Sequence, residues 1–221
     1  MTWSTDSDRT RRGYHHGNLR EALIDAALSL IAERGPAGLT IAEAARLAGV
    51  SSGAPYRHFR DAEALLAEAA LRGFDRLAAA LAAAWRDGRP DPMTAFGAMG
   101  RAYLDFARDQ PAYYAAMFET RLPAESYPPL AAAADRAFFL LRRAAEQLAA
   151  QIPPPDRPPA LMMALHVWAL SHGIAALFCR PDRVRRSLPM PPDELLEAGI
   201  LLYLQSLGLA GGRSPGDRKN G

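Results

Sequence analysis

A single cysteine, Cys179, stands in this chain of 221 residues, which excludes an intramolecular disulfide and fits a reducing compartment. The N-terminus lacks the apolar core of a signal peptide, and no apolar run reaches the roughly twenty residues that span a bilayer. Secretion and membrane insertion are therefore not expected, and the sequence reads as soluble and cytoplasmic. A dominant charge is missing as well: the net charge is only +2, so the molecule as a whole is not built to coat nucleic acid. Residues 1–60 carry eight arginines and no lysine against six acids, while the remainder has eighteen charges of each sign. The entire excess sits at the N-terminal end, although two charges are too few to argue from alone. No nucleotide-binding glycine loop, no nucleophile elbow and no Cys/His pair with a third partner can be found, so no catalytic residue, cofactor or metal is expected. No strand pattern, internal repeat or low-complexity tract competes with helix, and alanine-rich runs such as 77–84 and 130–134 favour it.

The richest local signal runs from Thr40 to Phe59. Thr40 is a good N-cap with Glu43 three residues later, the spacing of a capping box. Ile41, Ala44, Ala45 and Ala48 fall at helical spacing, and the small ones permit close approach of a second helix. Gly49 ends that helix, since glycine adopts the left-handed conformation, and Val50 supplies an apolar plug. Ser51 or Ser52 then caps a second short helix in which Pro55 is tolerated, because the first turn has no intrahelical partner for its amide groups. Two short helices around a tight glycine turn form the layout of a DNA-reading helix-turn-helix. A helical hairpin of any all-α protein is the competing reading of this stretch by itself.

The wider pattern resembles the DNA-binding domain of the TetR (tetracycline repressor) family of bacterial transcription regulators. The residues that carry the resemblance are an amphipathic first helix over Leu19–Arg34, Gly35, Gly38-Leu39-Thr40, Ile41 to Ala45, Ala48 to Ser51, Tyr56-Arg57-His58-Phe59, and Glu63 with Leu65 and Leu66. The resemblance implies that Ser52, Gly53 and Ala54 face bases while Thr40, Tyr56 and His58 hold the phosphate backbone. Ser51 and Arg57 complete the expected DNA-facing set. Two departures matter: the family's phosphate-binding lysine at the start of the next helix is Ala62 here, with Arg57 or Arg60 as a substitute, and Ala42 has no polar tip. Direct readout is therefore thin. Arg11 and Arg12 in the polar arm before Asn18 offer a second contact by entering an adjacent minor groove, against the alternative of a solvated tail.

Along the chain, residues 1–17 form a flexible basic arm, 18–62 the helix-turn-helix domain, 63–210 a C-terminal effector-binding and dimerisation domain, and 211–221 a disordered tail. Asn18 with Glu21 starts the first helix, and Asp61 caps a long helix to about Trp85 that links the two parts. Later helices begin at or near proline: Pro92 to Asp109, Pro111 to about Arg121, Pro128 to about Gln151, Pro158 to about Cys179 and Pro192 to about Leu207. The fold class is all-α, with about nine helices in a helix-turn-helix domain joined by a long helix to a helical bundle.

Aromatic and sulfur side chains are dense between Met93 and Phe139. Most must be core, yet such a bundle also suits an adaptable cavity. TetR-like regulators bind a small molecule in this region, and the candidate lining is Phe96, Met99, Tyr103, Tyr114, Met117, Phe118, Phe138, Trp168 and His172, with an apolar or aromatic effector expected. Trp168 and His172 share a helix face, while His166 points elsewhere, and His172 with Cys179 makes only two ligands. The expected role of Trp168 and His172 is packing within the bundle beside Gly173, where another helix approaches. The Trp-xxx-His-Gly pattern resembles a C-terminal subclass of TetR-like regulators called WHG after those letters. The resemblance further implies a homodimer through the last two long helices, whose apolar faces carry Leu161, Leu165, Trp168, Leu170, Ala175, Leu195, Leu196, Ile200, Tyr203 and Leu204. It implies a palindromic double-stranded DNA operator and release by effector. An all-α small-molecule-binding protein or enzyme without DNA binding is the alternative class.

Overall fold

The computed structural model describes residues 19–120, 122–123, 126–179 and 189–209. The basic arm with Arg11 and Arg12, the Asn18 cap and the C-terminal tail lie outside the described residues. The described residues form eight α-helices and no strand: α1 (Leu19–Arg34), α2 (Ile41–Leu47), α3 (Ala62–Trp85), α4 (Pro92–Asp109), α5 (Pro111–Phe118), α6 (Pro128–Ala149), α7 (Ala160–Phe178) and α8 (Pro192–Ser206). Eight replaces the expected nine because the second helix of the helix-turn-helix is a single 3₁₀ turn, Pro55–Arg57.

Local chemistry sets the boundaries. The Thr40 hydroxyl accepts from the Glu43 amide at 3.2 Å, and Asp61 and Asp91 cap α3 and α4 in the same way at 2.8 and 2.9 Å. The capping box at Thr40 is only half made, because the Glu43 carboxylate turns to the Arg34 guanidinium at 2.5 Å. Gly49 takes φ +72°, as the turn requires, and Val50 donates back to the Ala45 carbonyl at 3.0 Å.

A long α3 is the axis of the molecule. Its 24 residues reach about 36 Å at 1.5 Å per residue, from the helix-turn-helix into the bundle, where it packs on α4, α5 and α6. Gly73 permits the close approach of α5, since a Cβ there would stand 2.5 Å from the Met117 sulfur. One buried core runs without a break from Leu23 on α1 to Leu204 on α8. At 19 residues, α7 is long and apolar enough by length and composition to cross a membrane, against the expectation that no apolar run reaches the roughly twenty residues that span a bilayer. Only 33% of its most apolar window is buried in the protomer. Its other face needs cover of some kind.

Candidate DNA interface and effector cavity

The segment after α2 turns twice and presents its side chains outward. Ala54 donates to the Ser51 carbonyl at 3.0 Å, and the His58 and Phe59 amides both bond to Pro55 at 2.9 and 3.0 Å. Neither serine caps a helix, contrary to expectation: the position before the 3₁₀ turn is Ala54, without a side-chain bond. The reason lies in Gly53 and Pro55, which weaken helix propensity and remove one amide donor within three residues. Ser51, Ser52, Gly53, Tyr56, Arg57 and His58 are exposed, Ala54 is half-buried, and Pro55 and Phe59 are buried. A Cβ at Gly53 would meet nothing within 4 Å, so that stretch of backbone is open to a close partner. Of the two arginines near the missing lysine, Arg60 is held by Asp61 at 2.6 Å. Arg57 has no ion pair among the described residues. Arg46, exposed at the end of α2, adds a cation that the sequence pattern did not single out.

A cavity of about 340 Å³ lies inside the bundle. Met99, Tyr103, Phe118, Phe138 and Trp168 line it, as do Phe74, Leu77 and Leu81 of α3, Leu141 and Asp135 of α6, and Leu165, Val167 and Ser171 of α7. Phe96, Tyr114, Met117 and His172, expected at the lining, are not among its walls. Phe96 is wholly buried in the core, Met117 packs on Gly73, and the Nδ1 of His172 bonds the Tyr103 and Tyr114 hydroxyls at 2.9 and 3.1 Å. His172 therefore positions Tyr103, a wall residue, from behind. Burial pushes the His172 pKa down and the Tyr103 pKa up, so both stay neutral near pH 7. The α3 wall was missed, although Phe74, Leu77 and Leu81 fall at helical spacing; periodicity marks a face but not its neighbour.

The outer side of α7 and α8 carries exposed apolar residues: Leu161, Met162, Leu165, Trp168, Leu177, Leu201 and Leu202. Ala175, Leu196, Ile200 and Leu204, expected on that face, are buried inside the protomer. Each helix has apolar residues on two faces, and the inner one carries these four. Gly173 also departs from expectation, because among the described residues a Cβ there would meet nothing within 4 Å.

The family model for bacterial regulatory proteins of the tetR family matches residues 23–69, and that for the tetracyclin repressor-like C-terminal domain matches residues 96–203. The chain belongs to the TetR family. It is a DNA-binding transcriptional regulator, of a family whose members are typically ligand-responsive repressors. A structure of a protein of unknown function from Rhodococcus sp. RHA1 is similar at 32% identity and TM-score 0.74, covering 88% of this chain and 98% of that one. A transcriptional regulator from the same organism shows 29% identity and TM-score 0.65, over 85% and 96%. The TetR family regulator PfmR from Thermus thermophilus, at 22% identity and TM-score 0.64 over 86% and 99%, shares the fold. The uncharacterized HTH-type regulator YobS of Bacillus subtilis (strain 168) is 29% identical over 100 residues, which are 45% of this chain and 51% of that protein. The chain thus spans about half the length of that curated relative.

In this TetR-family regulator the DNA-binding part is clamped to α3 by charge. Arg72 holds Glu21 of α1 through two bonds at 2.5 and 2.6 Å and Glu68 at 3.0 Å, and Glu68 also holds Arg20 of α1 at 2.8 Å. Hydrogen bonds from Arg72 keep the Glu21 carboxyl below the usual carboxylate range; burial works against Glu68, but Arg20 and Arg72 outweigh it with the same result. A carboxylate whose pKa is lowered by folding contributes stability above its unfolded pKa, 4.5 here, and loses it as the pH falls through the folded value. Thermal unfolding should therefore separate wild type from Arg72→Gln near neutral pH. The two curves should converge as the pH falls through the lowered folded-state pKa values of Glu21 and Glu68, below which the carboxylates are protonated in both. A gap that stays constant across this range would assign the effect of Arg72 to its packing.

Proposed function

We propose that this regulator acts as a homodimeric repressor in the cytoplasm, released from a roughly palindromic operator when a small molecule with an apolar or aromatic body enters the α3–α7 cavity. One observation carries the reading. A single unbroken helix, α3, is capped beside the exposed turn at Asp61 and forms a cavity wall at Phe74, Leu77 and Leu81. A ligand that fits the cavity better in one position of α3 than in another shifts the α3 equilibrium, and the ion-paired α1 moves with it. The exposed faces of α7 and α8 support the dimer, since soluble proteins seldom leave such a patch bare. Two copies place two exposed turns along one face of a duplex, so half-sites about one helical turn apart or slightly more are expected. Catalysis has no part in this reading.

The test is a gel shift on a fragment containing the upstream region of the protein's own gene, repeated with small molecules that raise its melting temperature. A compound that stabilises the protein but leaves operator affinity unchanged through a full titration overturns the coupling. Within the DNA-facing set, Ser52, Gly53 and Ala54 are read as base-facing, and Thr40, Ser51, Tyr56, Arg57 and His58 as backbone-holding, with Arg11 and Arg12 in the minor groove. Because Arg60 is engaged by Asp61, Arg57 is the residue that takes over from the absent lysine. Arg57→Ala should weaken specific and random-sequence binding alike and reduce the salt slope by about one unit, while Arg60→Ala does less. A salt titration in which Arg60→Ala has the larger effect would reverse this assignment.

A further inference from the structure

The cavity has an uneven chemistry that narrows what it can hold. Its walls are carbon almost throughout, and among the described residues the lining contains no arginine, lysine, histidine or amide side chain. The hydroxyls that reach it are already engaged: Ser171 donates to the Val167 carbonyl at 2.9 Å, and Tyr103 is bonded to His172 at 2.9 Å. Among the described residues one lining group is charged, the Asp135 carboxylate of α6, and no hydrogen bond or ion pair engages it there. Its neighbour Arg136 does not neutralise it, because that guanidinium is paired with Asp75 of α3 at 2.7 Å. One turn further along α6, Phe138 stands edge-on to Trp168 with ring centroids 5.7 Å apart. A free carboxylate beside two aromatic rings, at the edge of an apolar chamber, suits a cation on an apolar body, since the rings attract positive charge and the carboxylate accepts its hydrogen bonds.

We infer that the effector site is selective for organic cations, meaning amines with an apolar or aromatic body, and that Asp135 is the selecting residue. This rests on reading the cavity as the effector site. An anionic ligand would meet a like charge and no free donor. A neutral polar ligand would lose water without recovering its hydrogen bonds.

Three probes with one body separate the possibilities: 4-phenylbutylamine, 4-phenylbutan-1-ol and 4-phenylbutanoate, titrated calorimetrically into the full-length wild type, Asp135→Asn and Ala134→Phe. Asp135 is exposed, so its variant keeps the fold, and Ala134→Phe reduces the cavity from a half-buried wall position. The amine should bind on the order of ten-fold more tightly than the alcohol, and the carboxylate more weakly than either. Asp135→Asn should bring the amine down to the alcohol and leave the alcohol unchanged. The amine's advantage should shrink as salt is raised. Equal binding of all three probes, or an amine advantage that survives Asp135→Asn, overturns the selectivity, while loss of all binding in Ala134→Phe keeps the cavity as the site. Absence of binding by every probe at millimolar concentration, or binding untouched by Ala134→Phe, overturns the cavity reading and the selectivity together.

Discussion

Gly173→Leu is expected to give a folded monomer that no longer holds its operator. Among the described residues nothing lies within 4 Å of a Cβ at this position, so the new side chain leaves the backbone into open space. Replacing glycine inside a helix also improves helix propensity, by up to about 1 kcal/mol, so the protomer itself should melt no earlier than before. The cost falls on association. Ala169, Gly173 and Ala176 share the outer side of α7 with Met162 and Leu165, and a partner helix seated there packs against backbone. Overpacking costs typically about 1–3 kcal/mol per site, and a two-fold interface repeats the clash, for roughly 2–6 kcal/mol per dimer. At about 1.4 kcal/mol per factor of ten, the dimer dissociation constant rises by between about 30-fold and four orders of magnitude. Operator affinity falls with it, because one exposed turn loses the help of the second. Sedimentation velocity across a dilution series reads the first effect and a gel shift the second. A variant that remains a dimer of unchanged strength would place the interface elsewhere.

The same residue shows where reading from sequence stops. Helix starts were legible because caps and prolines act locally: Asp91 before Pro92 and Asp61 before Ala62 each hold the first amides of their helix. The start of α1 was read from Asn18 with Glu21 and its course from an apolar stripe, which is buried over most of its length. Directions across space were harder. The stripe Phe96, Met99, Tyr103 and Phe106 is buried as expected, yet only Met99 and Tyr103 reach the cavity, because a stripe one helix face wide spans more than one neighbour. In α7 both faces are apolar, so periodicity could not tell Ala175, which is buried at 1% exposure, from Leu165, which is exposed at 42%. The cap expected at Ser51 or Ser52 failed for a local reason, since a glycine and a proline within three residues leave too few amides for a helix to close there. The cavity's α3 wall combines both cases: the periodicity of Phe74, Leu77 and Leu81 is plain, but their facing partners on α6 and α7 lie more than fifty residues away in the chain.

Within the DNA-binding part, the largest single effect should come from Phe59→Ala and not from any residue that faces DNA. Phe59 is 4% exposed, and its ring packs in the core that joins Leu23, Ile24 and Ile41 to Leu65 of α3. The Arg20 guanidinium covers the ring at 5.4 Å while also reaching Glu68, so the side chain ties the exposed turn, α1 and α3 together. Removing a buried phenylalanine costs about 3–5 kcal/mol, which approaches the whole stability of a small domain. The expected result is local unfolding of α1, α2 and the turn, with operator and random-sequence binding both lost. The α4–α8 bundle stays folded and dimeric, because Phe59 lies at the far end of α3 from it. Hydrogen exchange would show this as a loss of protection over residues 19–60 with protection retained in α4 and α6. Tyr56→Phe is the matched control: Tyr56 is 61% exposed, so the change should leave exchange untouched and weaken DNA binding only by the phosphate contact proposed for its hydroxyl. If Phe59→Ala kept its protection and lost only sequence preference, the turn would be held by its own backbone bonds to Pro55, and Phe59 would belong with the residues that read the operator.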